Sequence, residues 1–360
     1  MPRMARYLLL SLILAFTNFY PAGAIINGTI ATGSAYVVTL LPGNGPSASG
    51  FCTGAYISER VVVTAAHCVV APLGNSGDWR FPLNELYVSQ AGVDWTTTSA
   101  FISRVKVSKI VVGEGYFYRF DPENGYFESE INDIAFLFLD RKLNSEPVSR
   151  IASKTDLDHI REGDIALYNL GYGCLFNNGV LTIQNDGKPY RIDGITGTEV
   201  TPSHGSDPKK YLQVEYPFGT SLCPGESGSP LLFQSGSDTV YVGDVQSGRG
   251  WEAISDKDFS NRAVAGANVM WPYESFFQAQ WKLFLSEEAA MQEAELIIIN
   301  EQAVAARDAA LALESAQIPL NPKPKPPVIK KVTITCIKGK LIKKITAVKP
   351  MCPTGYKKKP

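Results

Sequence analysis

The chain has 360 residues, more than one compact core usually holds, so its length favours a large domain with an appendage. Hydrophobic residues at 45% and charged ones at 19%, with 31 Gly and 23 Pro, exclude global disorder and point to a body rich in turns and strands. The net charge of −1 is unevenly spread: residues 318–360 hold twelve Lys and no Asp or Glu, which leaves −13 on the remainder. Such a split marks a separate interaction tail on an acidic body.

Residues 1–24 read as a secretory signal, with Arg3 and Arg6 before an apolar run from Tyr7 to Phe16 and the small-residue triplet Ala22-Gly23-Ala24 as a cleavage site. A membrane anchor is the competing reading, but the apolar run is about half of the ~20 residues that a spanning helix needs. Export is therefore expected, to the medium or to the cell surface. Six cysteines, an even number in an exported chain, favour disulfides. They form no CxxC pair and only three histidines accompany them, so a Cys/His zinc site is not expected, and no residue is assigned to a metal.

From Ile25 to about Tyr273, short runs rich in Val, Ile, Tyr and Phe alternate with Gly, Asn, Asp and Pro. Expected strands are Ala35–Leu41, Arg60–Thr64, Phe101–Val112, Ile134–Leu139, Ile165–Leu170, Pro230–Phe233 and Thr239–Val245, an all-β rhythm suited to a barrel or a sandwich. After Pro272 the pattern changes, because Glu274–Gln317 lacks Pro and Gly and is dense in Ala, Glu, Gln and Leu. This predicts a long helix. Phe276, Phe277, Trp281, Phe284 and Leu285 give its first part an apolar face to pack on the β body, and residues 286–317 continue as a stalk or a loose coiled coil. A Pro-rich linker, 318–327, leads to a basic unit at 328–360. There, alternating Val, Ile and Thr on either side of Gly339 predict a β-hairpin that Cys336 and Cys352 can staple.

Three local patterns carry chemistry. In Val61-Val62-Val63-Thr64-Ala65-Ala66-His67-Cys68 an apolar strand runs straight into a histidine, and Cys52 lies sixteen residues before Cys68. Cys223-Pro224-Gly225-Glu226-Ser227-Gly228-Ser229-Pro230 sets a serine in a glycine-flanked turn, where the N–H groups of Gly225 and Ser227 can converge on a developing oxyanion. Asn132-Asp133-Ile134-Ala135 places a carboxylate at the head of an apolar strand, where burial beside an imidazole would fix its tautomer. Taken singly, each is as compatible with an ordinary turn or a structural histidine.

In the order His, Asp, Ser, the three motifs resemble the chymotrypsin/trypsin family of serine endopeptidases, and the likeness extends over about residues 25–285. It implies two six-stranded antiparallel β-barrels with the site between them and a closing C-terminal helix. It also implies that Ser227 attacks a peptide carbonyl, that His67 acts as base and then acid, and that Asp133 orients it. By the same likeness Cys52 pairs with Cys68 and Cys174 with Cys223, leaving Cys336 for Cys352. Cleavage after Ala24 would expose Ile25-Ile26-Asn27-Gly28, similar to the start of activated family members, so Ile25 is expected to pair through its ammonium with Glu226. Three stretches depart from the pattern: Glu226 stands for Asp, Ser229 for Gly, and Gln246-Ser247-Gly248 for Ser-Trp-Gly.

At the base of the primary specificity pocket the resemblance places Ser221, with Gly248 and Val264 on the walls, which implies a neutral, apolar pocket rather than one selecting Lys or Arg. Protein or peptide substrates follow, and no cofactor is implied. The Lys-rich end is loosely similar to tails of exported actinobacterial proteins, and its charge suits an anionic cell-surface polymer. Nucleic acid is not expected, since the tail has one aromatic residue, Tyr356, for stacking and the leader directs export. Two other readings are an inactive protease homologue acting as an extracellular binding module and a surface-display protein whose tail is the functional part.

Overall fold

The computed structural model describes residues 28–43, 50–71, 79–121, 126–173, 175–177, 180–182, 186–198, 209–222, 225–249, 263–316 and 327–360. The leader, Ile25, Cys174, Cys223 and most of the Pro-rich linker lie outside them. Two compact units divide the chain, Met1–Glu287 and Glu288–Pro360.

After a short strand β1 (Thr29–Ile30), the first barrel is built from β2 (Val37–Pro42), β3 (Cys52–Ser58), β4 (Val61–Thr64), β5 (Leu86–Val88) and β6 (Val105–Val112). Beyond a hairpin of β7 (Phe117–Asp121) and β8 (Tyr126–Ile131), β9 (Ala135–Leu139) completes it. The six strands close in the order β2-β3-β4-β9-β6-β5. The stretch Phe101–Ser103, expected as strand, belongs instead to α1 (Thr98–Ser103). Thr97 caps that helix by accepting from Ala100 N at 3.2 Å, a local bond that outweighs the strand preference of Phe101 and Ile102.

The second barrel follows β10 (Arg150–Ile151) and α2 (Lys154–Glu162). It contains β11 (Ala166–Gly171), a hairpin β12 (Leu175–Asn177) and β13 (Val180–Thr182), then β14 (Tyr190–Thr198), β15 (Tyr211–Glu215), β16 (Pro230–Ser235), β17 (Asp238–Arg249) and β18 (Val264–Val269). The order β14-β11-β16-β17-β18-β15 closes through pairing of β14 with β15. β1 adds to its edge on β14, and β10 runs parallel to β17. The chain is thus all-β in its main unit, with two six-stranded antiparallel barrels as expected.

Period-2 geometry sorts the side chains of β4 and β9 into two cores. Val62, Ala135, Leu137 and Leu139 fill the first barrel, while Val61, Val63, Phe136 and Phe138 point outward. The outward set meets Tyr168, Leu170, Tyr172, Leu232 and Tyr241 of the second barrel. The start of α3 (Glu274–Ala316) covers this layer: Phe277 stacks on Phe136 at 5.5 Å between centroids, and Trp281 on Phe138 at 6.1 Å. Strands buried on both faces explain why these runs are continuously apolar.

In the second unit the rest of α3 precedes a three-stranded sheet of order β20-β19-β21, formed by β19 (Val332–Lys338), β20 (Leu341–Ala347) and β21 (Lys357–Lys358). The expected hairpin is present, turning at Gly339, whose φ of 61° suits a two-residue loop. Cys336, fully buried, is bonded to Cys352.

Candidate active site

β4 and β9 pair antiparallel with Thr64 opposite Ala135, so the residues just beyond one strand and just before the other meet at the same barrel rim. His67 sits in a 3-10 turn, Ala66–Cys68, after β4, and Asp133 stands two residues before β9. Asp133 is 0% exposed and binds His67 twice: Oδ2 to Nδ1 at 2.7 Å, and Oδ1 accepting from the main-chain N–H at 2.7 Å. One bond to the ring and one to the backbone leave the imidazole little freedom. The disulfide Cys52–Cys68 ties the same turn to β3.

Asp133 is aimed by its neighbour. Asn132 has φ 55°, a left-handed conformation that Asn tolerates better than most residues. Its Nδ2 donates to Glu114 O at 2.7 Å, while its Oδ1 accepts from Lys210 Nζ at 2.9 Å and Tyr273 Oη at 2.7 Å. From β18, Asn268 Nδ2 donates to the Asp133 carbonyl at 2.6 Å. These supports were not foreseen. A lone amide in the apolar run Val264-Ala265-Gly266-Ala267-Asn268-Val269 is the signal that points to Asn268.

Ser227 lies in a turn bracketed by Gly225 at φ 102° and Gly228 at φ 82°. The turn is pressed against the end of β4, because a Cβ on Gly228 would collide with Thr64 Oγ1, the Thr53 carbonyl and Ala65 N. Thr53 N donates to the Ser227 carbonyl at 2.9 Å, and that carbonyl lies 3.6 Å from Cys68 Sγ, one residue past His67. The Ser227 hydroxyl donates to Gln246 O at 3.4 Å, a long bond. Thr53 also donates from Oγ1 to Gly225 O at 2.9 Å.

Two of the departures from the family pattern, Glu226 and Ser229, have a local accommodation. Glu226 is 1% exposed, and its carboxyl lies against Gly171, where a Cβ would stand 3.1 Å from Oε1; the missing side chain makes room for the longer acid. Tyr216, fully buried beside it, is raised well above the usual phenol range by burial and then by Glu226. Ser229 accepts at Oγ from Asn169 Nδ2 at 3.0 Å. Ile25, the expected partner of Glu226, and the pair Cys174 and Cys223 fall outside the described residues.

Ser221 is 2% exposed and donates to Leu222 O at 3.1 Å. On the facing strands Gly248 pairs with Ala265, and Val264 with Arg249 and Glu215. Tyr216, Leu222, Val245, Ala265 and Ala267 form part of the apolar cluster at this end of the second barrel.

Comparison with known proteins bears on the family. A family model, Trypsin, matches residues 25–259. Trypsin delta and trypsin gamma of Drosophila erecta are each 27% identical over 251 residues, covering 68% of this chain and 88% of the relative. Trypsin alpha-4 of Lucilia cuprina is 27% identical over 229 residues, covering 62% of this chain and 80% of its own length. With two closed barrels and a histidine doubly bonded to a buried aspartate at the rim between them, the chain belongs to the trypsin family of serine proteases.

Proposed function

We propose that this chain is an exported serine endopeptidase with His67, Asp133 and Ser227 as its catalytic triad. The observation that supports it most is the pair of 2.7 Å bonds from Asp133 to His67, set beside a serine turn packed on the same strand end. Asp133 holds the Nδ1 proton, so Nε2 presents its lone pair. The Ser227 hydroxyl exchanges its weak bond to Gln246 O for Nε2, passes its proton there and attacks the peptide carbonyl. The resulting oxyanion is received by the N–H groups of Gly225 and Ser227, each worth about 10²–10³ in rate. His67 returns the proton to the leaving amine, and water repeats the sequence on the acyl-enzyme.

The primary pocket takes a neutral, apolar side chain: Ser221 offers no charge at its base, with Gly248 and Val264 on the walls. Removal of residues 1–24 frees the Ile25 ammonium to pair with Glu226 and order the oxyanion site. The protease unit of residues 25–285 is followed by a stalk, and the Lys-rich unit at 328–360 holds the enzyme to an anionic surface polymer outside the cell. No helix among the described residues is long and apolar enough to cross a membrane.

Labelling by a fluorophosphonate tests the central claim. The natural chain should label and Ser227→Ala should not; equal labelling of both removes Ser227 as the nucleophile, and no labelling of either supports an inactive binding homologue. A chain lacking residues 318–360 should appear in the medium, and unchanged partitioning rejects retention by the tail.

A further inference from the structure

β17 carries a carboxyl group that the proposed mechanism does not use. Asp244 lies in the otherwise apolar run Val242-Gly243-Asp244-Val245 and is 0% exposed. It pairs across the sheet with Asn268 on β18, and Gly243 beside it allows so close an approach that a Cβ there would collide with the Asn268 carbonyl. The Asn268 amide is oriented by its 2.6 Å bond from Nδ2 to the Asp133 carbonyl, which identifies its other end as the acceptor Oδ1. Among the described residues that Oδ1 meets no donor, and neither do Oδ1 and Oδ2 of Asp244. One N–H of the Asn268 amide is taken by the Asp133 carbonyl, and its amide stands near enough to Asp244 to favour the ionised form. Three acceptor atoms on this cross-strand pair thus lack a hydrogen-bond partner among the described residues, and a proton on Asp244 supplies a donor that Asn268 Oδ1 can accept.

The groups around Asp244 act in the same direction. Burial is the largest influence and the charge of Asp133 the next; together they push the carboxyl well above the usual carboxylate range, against weaker opposition from Asn268, His67 and the main chain of Asp244 itself. Tyr241, on the same strand and fully buried, is a further titratable neighbour among the described residues; its hydroxyl meets no partner there, and it too is raised by burial and then by Asp244.

We propose that Asp244 is a positioning residue held as a neutral acid, whose O–H donates to Asn268 Oδ1 and so locks the Asn268 amide onto the carbonyl of Asp133. It acts through Asn268 on the backbone of the residue that orients His67, and its neutrality leaves Asp133 as the charged acid behind the ring. The inference rests on the triad reading above.

Infrared difference spectra of the full chain, natural against Asp244→Asn at neutral pH, test the proton directly. The natural chain should show a protonated-carboxyl carbonyl band that the variant lacks; a difference confined to ionised carboxylate overturns the assignment. Positioning is read from the His67 ring titration by NMR, which needs no turnover, and from kinetics. Asp244→Asn keeps a donor without charge, so the His67 midpoint should stay within about 0.2 pH unit and kcat within about twofold. Asp244→Leu keeps volume without a donor, and kcat should fall about tenfold at nearly unchanged KM. A His67 midpoint lowered by more than about half a unit in Asp244→Asn would mean an ionised native acid and overturn the proposal. Full kcat in Asp244→Leu overturns it equally; should that variant not fold, the infrared and NMR results on Asp244→Asn decide. If the natural chain shows no Ser227-dependent hydrolysis, the triad reading fails, while the infrared and NMR results still decide the role of Asp244.

Discussion

Replacing Asp133 by Asn isolates the orientation of the imidazole from its burial. The aspartate receives the His67 main-chain N–H at Oδ1 and faces Nδ1 with Oδ2, both at 2.7 Å. A main-chain N–H can only donate, so an amide in this position keeps its oxygen there and turns its NH₂ towards Nδ1. The ring must then accept at Nδ1 and carry its proton on Nε2, where it cannot take the proton of Ser227. Recovering the working tautomer requires flipping the amide, which sets NH₂ against the main-chain N–H. At about 1–3 kcal/mol for each buried group left unsatisfied, two such groups cost about 2–6 kcal/mol. With about 1.4 kcal/mol per tenfold in rate, kcat should fall roughly 30-fold to 10⁴-fold with KM little changed. The upper figure coincides with the loss of about 10⁴ for the equivalent change in trypsin, a member of the same family. Initial rates on a chromogenic peptide, normalised to folded protein, measure the effect. A folded Asp133→Asn variant that keeps kcat within about threefold of the natural chain would refute the tautomer reasoning.

Other consequences follow from the scaffold. Phe277→Ala removes a ring 3% exposed and stacked on Phe136, so urea unfolding should show a loss of about 3–5 kcal/mol. Asp156 closes a capping box with Ser153 at the start of α2, and the Arg150 guanidinium, then Ser153, pulls its carboxyl down to about 2. A lowered folded value stabilises the protein above the ordinary carboxylate range and is lost as pH falls towards 2. Asp156→Asn should therefore cost about 1–2 kcal/mol at neutral pH, discounted because Arg150 is 37% exposed, and the gap should close between about pH 4 and pH 2. An equal gap at both ends of that range would contradict the linkage. Cys336→Ser opens a bond spanning sixteen residues, worth about 3 kcal/mol in the chain-entropy view. Limited proteolysis should then cut within 327–360 while hydrolysis by the first unit persists.

The motifs of the proposed site were legible because serine-protease chemistry needs particular residue types at fixed local offsets. Thr64–Cys68, Asn132–Ala135 and Gly225–Pro230 are each short enough to be read without a fold, and their order along the chain supplies the family likeness. Strand positions, the change to helix at Glu274 and the stapled tail were legible for the same local reason, through periodicity and the placement of Pro and Gly. α1 was not, since Phe101 and Ile102 carry strand preference and a single cap at Thr97 decides the matter.

Sequence by itself determined which side chains are candidates for the site and which stretches extend or coil, because both depend on neighbours within a few residues. Tertiary structure alone decided which face of each apolar strand enters which core. Val61-Val62-Val63 and Ala135–Leu139 are apolar throughout, and only the docking of barrel on barrel sends alternate residues to opposite sides. It also brought Asn268 to the carbonyl of Asp133 across 135 residues and set Asp244 beside them. Cross-strand neighbours of that kind are fixed by sheet register and barrel closure, and no periodicity along the chain records them.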